Sequence, residues 1–201
     1  MMTLRPMNAA DIDAAVEIFA SAFQDSSLYR YFEPDAEKRG ALLRLAFRHR
    51  VSNGFDTRDN ILAAIDEDLA GAALWARPAP PLPPNEALTE AVRRYNPAVF
   101  EKWRHFHSIL FEALDQVYAA PHWALAPIAV LPEFQGRGVA HKLIAAKLAE
   151  ITPSGIPCML ATQDEVNIPR YQRYGFRQVH TVQISGGLHS YVMLWQPDAL
   201  P

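Results

Sequence analysis

The run Gln135-Gly136-Arg137-Gly138-Val139-Ala140 carries the most pointed chemistry in the chain. Glycine reaches positive φ without a steric penalty and lets the backbone come close to a ligand. Downstream, Ala140, Leu143, Ile144, Leu148 and Ile151 recur at helical spacing, so the turn opens a helix over residues 137–151. The first-turn N–H groups of a helix lack acceptors and lie at the positive end of its dipole, an arrangement that holds an anion, most often a phosphate. Gln135, Arg137, Lys142 and the His141 ring add donors or charge nearby. A P-loop is excluded because no Gly-Lys-Ser/Thr triplet occurs. A dinucleotide fingerprint is excluded because His141 stands where the third small residue belongs. Two readings remain: the pattern Q/R-x-x-G-x-G/A after a strand, or an ordinary glycine-rich turn.

A second block, Asn167-Ile168-Pro169-Arg170-Tyr171-Gln172-Arg173-Tyr174-Gly175-Phe176, has Asn167 and Tyr171 four apart on one helix face and Gly175 placed to end that helix in a left-handed conformation. Together the two blocks resemble the pyrophosphate loop and the N-x-x-x-Y-x-x-x-G-F element of the GNAT superfamily of N-acetyltransferases. Trp75-Ala76-Arg77-Pro78, Trp123-Ala124-Leu125-Ala126 and Ser190-Tyr191-Val192-Met193 are similar to the puromycin N-acetyltransferase-like branch. That likeness runs from about residue 3 to residue 197 and is weakest between residues 79 and 120.

The resemblance implies an α/β (mixed α+β) fold: a mostly antiparallel sheet of six to seven strands, splayed between the fourth and fifth and flanked by helices. It implies acetyl-CoA as cosubstrate, no metal, and direct acetyl transfer to a primary amine of a small molecule. The coenzyme would meet Ile128, Ala129, Val130, Gln135, Gly136, Arg137, Gly138, Val139, Ala140, His141, Asn167 and Tyr171. Tyr171 matches the tyrosine that faces the leaving thiolate. Many relatives carry a glutamate on the strand before the loop; residues 123–130 contain none, which leaves His122 as the substitute base. Asp25, Tyr29 and Trp75, with Phe106, would line the acceptor cleft, although core aromatics and a helix-capping aspartate would look the same in sequence. His105 and His107 lie two apart on an expected helix, on different faces, with no carboxylate or cysteine cluster to make a metal site. Protein or peptide acetylation, and a non-catalytic coenzyme-A sensor, are the alternative functions.

The elements that must position these residues follow from patterning. The chain has 201 residues, 50% hydrophobic and 20% charged, which suits one domain over 1–201. A net charge of −3 without a basic stripe argues against nucleic acid as partner, and no apolar run is long enough for a membrane span. The lone Cys158 excludes an internal disulfide and points to core packing in a reducing, cytoplasmic setting, with the chain acting as monomer or homodimer. Asn8 and Asp11 have capping-box spacing ahead of an apolar stripe at Ile12, Ala15, Phe19 and Phe23. A break at residues 24–27 precedes a second helical region ending near Val51. Strands are expected at 60–65 and 69–75 around an acidic turn, and a proline-rich connector at 78–84. Helices follow at 86–95 and 98–118, then strand 123–130, helix 137–151, strand 157–162, helix 166–174 and a hairpin of 176–184 with 189–196. Pro127 inside an otherwise central strand marks a bulge or an edge.

Overall fold

The computed structural model describes residues 1–52, 58–78 and 86–197; the proline connector beyond Pro78 lies outside them. β1 (Met2–Pro6) leads to α1 (Ile12–Phe23), α2 (Ser27–Phe32) and α3 (Ala36–Ser52). β2 (Arg58–Ile65) and β3 (Asp68–Ala76) form a hairpin, followed by α4 (Glu86–Tyr95) and α5 (Pro97–Val117). The second half runs β4 (Trp123–Val130), α6 (Val139–Ile151), β5 (Cys158–Thr162), α7 (Ile168–Gln172), β6 (Arg177–Ser185) and β7 (Leu188–Trp195). The strands make one seven-stranded sheet in the order β1-β2-β3-β4-β5-β7-β6. Every pair is antiparallel except β4 with β5.

Local chemistry explains the boundaries. The capping box forms: the Ala10 amide donates to the Asn8 side chain (2.9 Å) and the Asn8 amide to Asp11 (2.8 Å). It caps a 3-10 turn over Ala9–Asp11 that runs into α1. Arg5 clamps Asp11 with two bonds of 2.7 and 2.6 Å and holds its carboxyl below the usual range. The second helical region divides into α2 and α3 around Pro34, which has no N–H to continue a helix. Asp66 and Glu67 take positive φ (50° and 78°), the geometry a two-residue hairpin turn demands.

Alternation along β3 sorts the core into two layers. Ala73 and Trp75 face α6 with Val139, Leu143, Ile144, Leu148 and Ile151. Ala72 and Leu74 face α1 and α3 with Val16, Phe19, Leu43 and Phe47. A third apolar cluster joins α2, α4 and α5 through Phe32, Val92, Phe100 and Phe106. Lys147, only 1% exposed, is satisfied where α6 docks: it donates to Asp59 and Glu150 and lies 4.5 Å over the Trp123 ring.

The strand that positions the site is β4. Between the pairs Ala73↔Ile128 and Trp75↔Leu125, β3 contributes one residue and β4 two, Ala126 and Pro127. This is the bulge that Pro127 marks in the sequence. On its other side β4 pairs with β5 only at Trp123↔Cys158 and Ala124↔Met159. From the bulge onward the two parallel strands part, and among the described residues the edge of β4 from Ile128 to Val130 has no strand neighbour on that side.

Candidate active site

The splay opens at one end onto the glycine loop. After β4, a 3-10 turn over Pro132–Phe134 leads to Gly136 (φ 74°) and Gly138 (φ 80°), and Gly138 caps α6 in the left-handed region with no side-chain cap. The helix therefore begins at Val139, two residues later than its apolar pattern suggests, because the glycines are spent on the turn. A Cβ built on Gly136 or Gly138 meets nothing within 4 Å, so the backbone there borders an open cradle. The first-turn amides of Val139, Ala140 and His141 point along the helix axis toward that cradle without intrahelical acceptors. A diphosphate fits this donor set. Around the cradle, the Gln135 amide group donates to the Val130 carbonyl (3.3 Å), which pins the loop to the end of β4. The Arg137 guanidinium lies 5.4 Å over the Phe134 ring, and His141 stacks on Tyr174 at 5.6 Å. Lys142 turns away to the Met2 carbonyl and does not join the loop.

Across the gap, α7 starts beyond the end of β5. Asn167 stands in a 3-10 turn, and its side chain donates to Thr162 (3.3 Å) and accepts from Arg170 (2.9 Å), so it ties α7 to the end of β5. Tyr171 packs edge-on to Phe176 at 6.0 Å. Burial pushes its hydroxyl up to about 12, with Arg170 opposing.

The structure separates several residues that sequence placed together. His122 is not at the splay. It precedes β4 at the end where β4 and β5 are still paired, six residues before Ile128 and so about 20 Å along the strand. Its Nδ1–H donates to the Ala120 carbonyl (2.9 Å). Trp75 is not a cleft wall: it is 0% exposed on the α6 side of the sheet, the face opposite Tyr29, because side chains alternate along a strand. Asp25 lies in the break between α1 and α2, beside an open groove of about 380 Å³ between α1 and α3 lined also by Glu17, Ser21, Gln24 and Arg44, and it accepts from Arg30 (2.9 Å).

Tyr29 is on the side of the sheet that faces the bulge. Its ring joins Phe23, Phe32 and Phe47 at 6.1, 5.8 and 5.7 Å, and burial raises its hydroxyl to about 12. Two neighbours escaped sequence reading. Arg50, at the end of α3, brings Nη2 to 3.5 Å from the Ala126 carbonyl, and its charge acts on both Tyr29 and His107. His107, midway along α5, shares a face with Trp103 and Phe111, and its ring contacts both and Phe106. That i, i+4, i+8 stripe was the one available signal. Ser27 closes the same side, its amide donating to Asp164 after β5 (3.1 Å). Among the described residues no cluster of three or more metal-ligating side chains occurs, and no helix is long and apolar enough to cross a membrane.

Burial of these acids has a measurable consequence. Tyr29 and Tyr171 are raised from 10.0, and Cys158 from 9.0, each to about 12, chiefly by burial. The unfolded chain loses these protons near pH 9–10 while the fold keeps them, so stability is complete below pH 9 and falls as pH rises toward 12. Each tyrosine contributes up to about 3 kcal/mol to that loss. We expect the melting temperature to hold to pH 9 and drop by about 10 °C or more by pH 11. Thermal melts followed with tyrosinate absorbance check this; a flat profile to pH 11 contradicts it.

Comparison with known proteins agrees with this geometry. Residues 106–178 match the family model of the acetyltransferase (GNAT) domain. The histone acetyltransferase and related acetyltransferase of Corynebacterium glutamicum superposes with a TM-score of 0.69 at 20% identity, over 100% of this chain and 98% of that one. The ribosomal-protein-S18-alanine N-acetyltransferase of Escherichia coli gives 0.56 at 14% identity, over 98% and 94%. The PaiA N-acetyltransferase of Thermoplasma acidophilum, in complex with coenzyme A, gives 0.62 at 13% identity, over 98% and 99%. At these identities the likeness is one of fold. The domain match covers the stretch that holds the glycine loop and Tyr171, and the whole chain has the GNAT fold, with the order and splay of its sheet.

Proposed function

We propose that the chain transfers the acetyl group of acetyl-CoA to a primary amine of a small molecule by direct attack on the thioester. The observation that carries the reading is the parting of β4 from β5 at the Ala126–Pro127 bulge, with the glycine cradle beyond β4 and Tyr171 beyond β5. Acetyl-CoA supplies an activated carbonyl and a thiolate leaving group. The amides of Val139, Ala140 and His141 hold the diphosphate. Past the bulge, the backbone N–H groups of β4 that point away from β3 line the pantetheine arm and polarise the carbonyl. Asn167 fixes α7 so that the Tyr171 hydroxyl faces the sulfur.

The acceptor side supports a small molecule. Beside the bulge Tyr29 stands at the edge of a ring cluster with Phe32 and Phe106, which would offer a ring-bearing amine an apolar surface, and the Ser27 amide bond to Asp164 ties α2 to the loop after β5. An alkylammonium with a pKa near 10.4 is neutral in only about one part in 2,500 at pH 7, so a ring-lined pocket that sheds its proton helps the reaction by about 4–5 kcal/mol. The same features suit the puromycin N-acetyltransferase-like branch, whose acceptors are small.

Thiol release from acetyl-CoA, measured against a panel of small primary amines and of peptides, tests the proposal. Turnover with ring-bearing small amines is expected. Turnover on peptides alone favours protein acetylation, and tight coenzyme binding with no turnover favours a sensor; either result overturns the proposal.

A further inference from the structure

We propose that His107 is the group that receives the acceptor amine, its Nε2 accepting an N–H hydrogen bond and then the proton that nitrogen sheds. This rests on reading the β4–β5 gap as the acetyl-CoA site. α5 is a 21-residue helix, started by Asn96 and Pro97, that lies over the third apolar cluster. On its inner face the His107 ring sits 4.4 Å from Trp103, 5.1 Å from Phe106 and 5.7 Å from Phe111. Phe106 continues through Phe32 (5.7 Å) to Tyr29 (5.8 Å), so His107 and Tyr29 stand on one wall of rings. Arg50 faces that wall and reaches the Ala126 carbonyl at the bulge, where the two parallel strands begin to part. Phe111, 57% exposed, leaves the outer end of the wall open to solvent.

The tautomer is set by the fold. Nδ1 lies 2.8 Å from the Trp103 carbonyl, which can only accept, so Nδ1 carries the proton and Nε2 presents a lone pair. Among the described residues Nε2 has no protein partner. Nε2 is not sealed among the rings: it keeps contact with solvent, so an amine can take the place of the water that answers it. The charged group acting on the ring is Arg50; Lys102 on the same helix is held by the Tyr31 and Phe32 carbonyls, and Arg104 by Glu101. Burial first, and Arg50 in addition, keep the imidazole neutral down to about 4. It is therefore neutral at pH 7 but a weak base, so it accepts the proton only as the N–C bond forms and makes the nitrogen acidic, and it passes that proton on at once.

The step balances. The amine lone pair forms the N–C bond as the C–S bond opens toward sulfur. One nitrogen proton moves to Nε2 and on to solvent, while the Tyr171 hydroxyl gives one to sulfur and recovers one from solvent. The products are the amide and the thiol.

Three variants test the role: His107→Phe removes both nitrogens, His107→Asn keeps a polar group near the Nδ1 position, and His107→Gln keeps one near Nε2. For a small amine that the wild type turns over, we expect kcat/KM to fall about 100-fold in His107→Phe and His107→Asn, and less than about tenfold in His107→Gln. Acetyl-CoA Kd should stay within about twofold in all three. Equal loss in Asn and Gln variants, or wild-type kcat/KM in the Phe variant, overturns the role of Nε2. If the Phe variant does not fold, the Asn and Gln pair decides alone. A wild-type protein that binds no acetyl-CoA overturns the underlying site and this inference with it, a failure seen before any variant is made.

Discussion

Replacing Gly138 with valine should weaken acetyl-CoA binding about 100-fold, close to 3 kcal/mol, while the fold survives. Two effects combine. Gly138 sits at φ 80°, ψ 9°, where a side chain costs about 1–2 kcal/mol, and β-branching adds to that. The new methyl groups would also project into space that is empty within 4 Å of the Cβ, the space over the first-turn amides of α6. Strain alone would not distinguish a ligand cradle from any tight turn. Gly155 supplies the control: φ 65°, nothing within 4 Å of a built Cβ, and a position beyond the far end of α6. Gly155→Val should lower the melting temperature by a similar few degrees and leave acetyl-CoA affinity unchanged. Titration calorimetry on both variants separates the two effects. Equal coenzyme affinity in the Gly138 and Gly155 variants would move the diphosphate away from this loop.

The contrast between these glycines reflects what a sequence can encode. The turn at 135–140 was legible because its geometry lies in the backbone: glycine spacing, a preceding strand and a following helix specify where amides point, whatever packs around them. The capping box at Asn8 and Asp11 and the Pro127 bulge were legible for the same reason, since each satisfies or removes a main-chain hydrogen bond locally. Trp75 and His122 were misplaced because their roles depend on longer range. Which face of β3 looks at α1 and which at α6 is decided by how the layers stack, and a tryptophan fits either. His122 adjoins the right strand but at the end where β4 is still closed against β5, and strand proximity in sequence says nothing about where two parallel strands part. Arg50 and His107 belong to helices 57 residues apart that meet only when α5 folds back over the wall of rings. The proposed acceptor side is therefore assembled by packing, whereas the proposed coenzyme side is written in a turn.

Tyr171→Phe should lower kcat about 100-fold and leave acetyl-CoA affinity within about twofold. The ring keeps its place, because its packing is the edge contact with Phe176 and the apolar layer under α6, neither of which uses the hydroxyl. What is lost is the donor toward sulfur. With the hydroxyl raised to about 12, handing its proton to a free thiolate near 8.5 is uphill by about 5 kcal/mol. On the proposed mechanism a complete prior transfer is therefore disfavoured, and the hydroxyl hydrogen-bonds the sulfur as charge develops, with the proton following as the C–S bond opens. Two outcomes check this account beyond the simple loss of rate. The kcat–pH profile of the wild type should show no limb from Tyr171 below about pH 11, since its proton stays on in the fold. With an acetyl thioester whose thiol is more acidic, such as that of nitrothiophenol, the leaving sulfur needs less help, so the gap between wild type and Tyr171→Phe should shrink severalfold. A gap that stays constant across donors would make Tyr171 a positioning residue, and an unchanged kcat in the Phe variant would remove it from the chemistry.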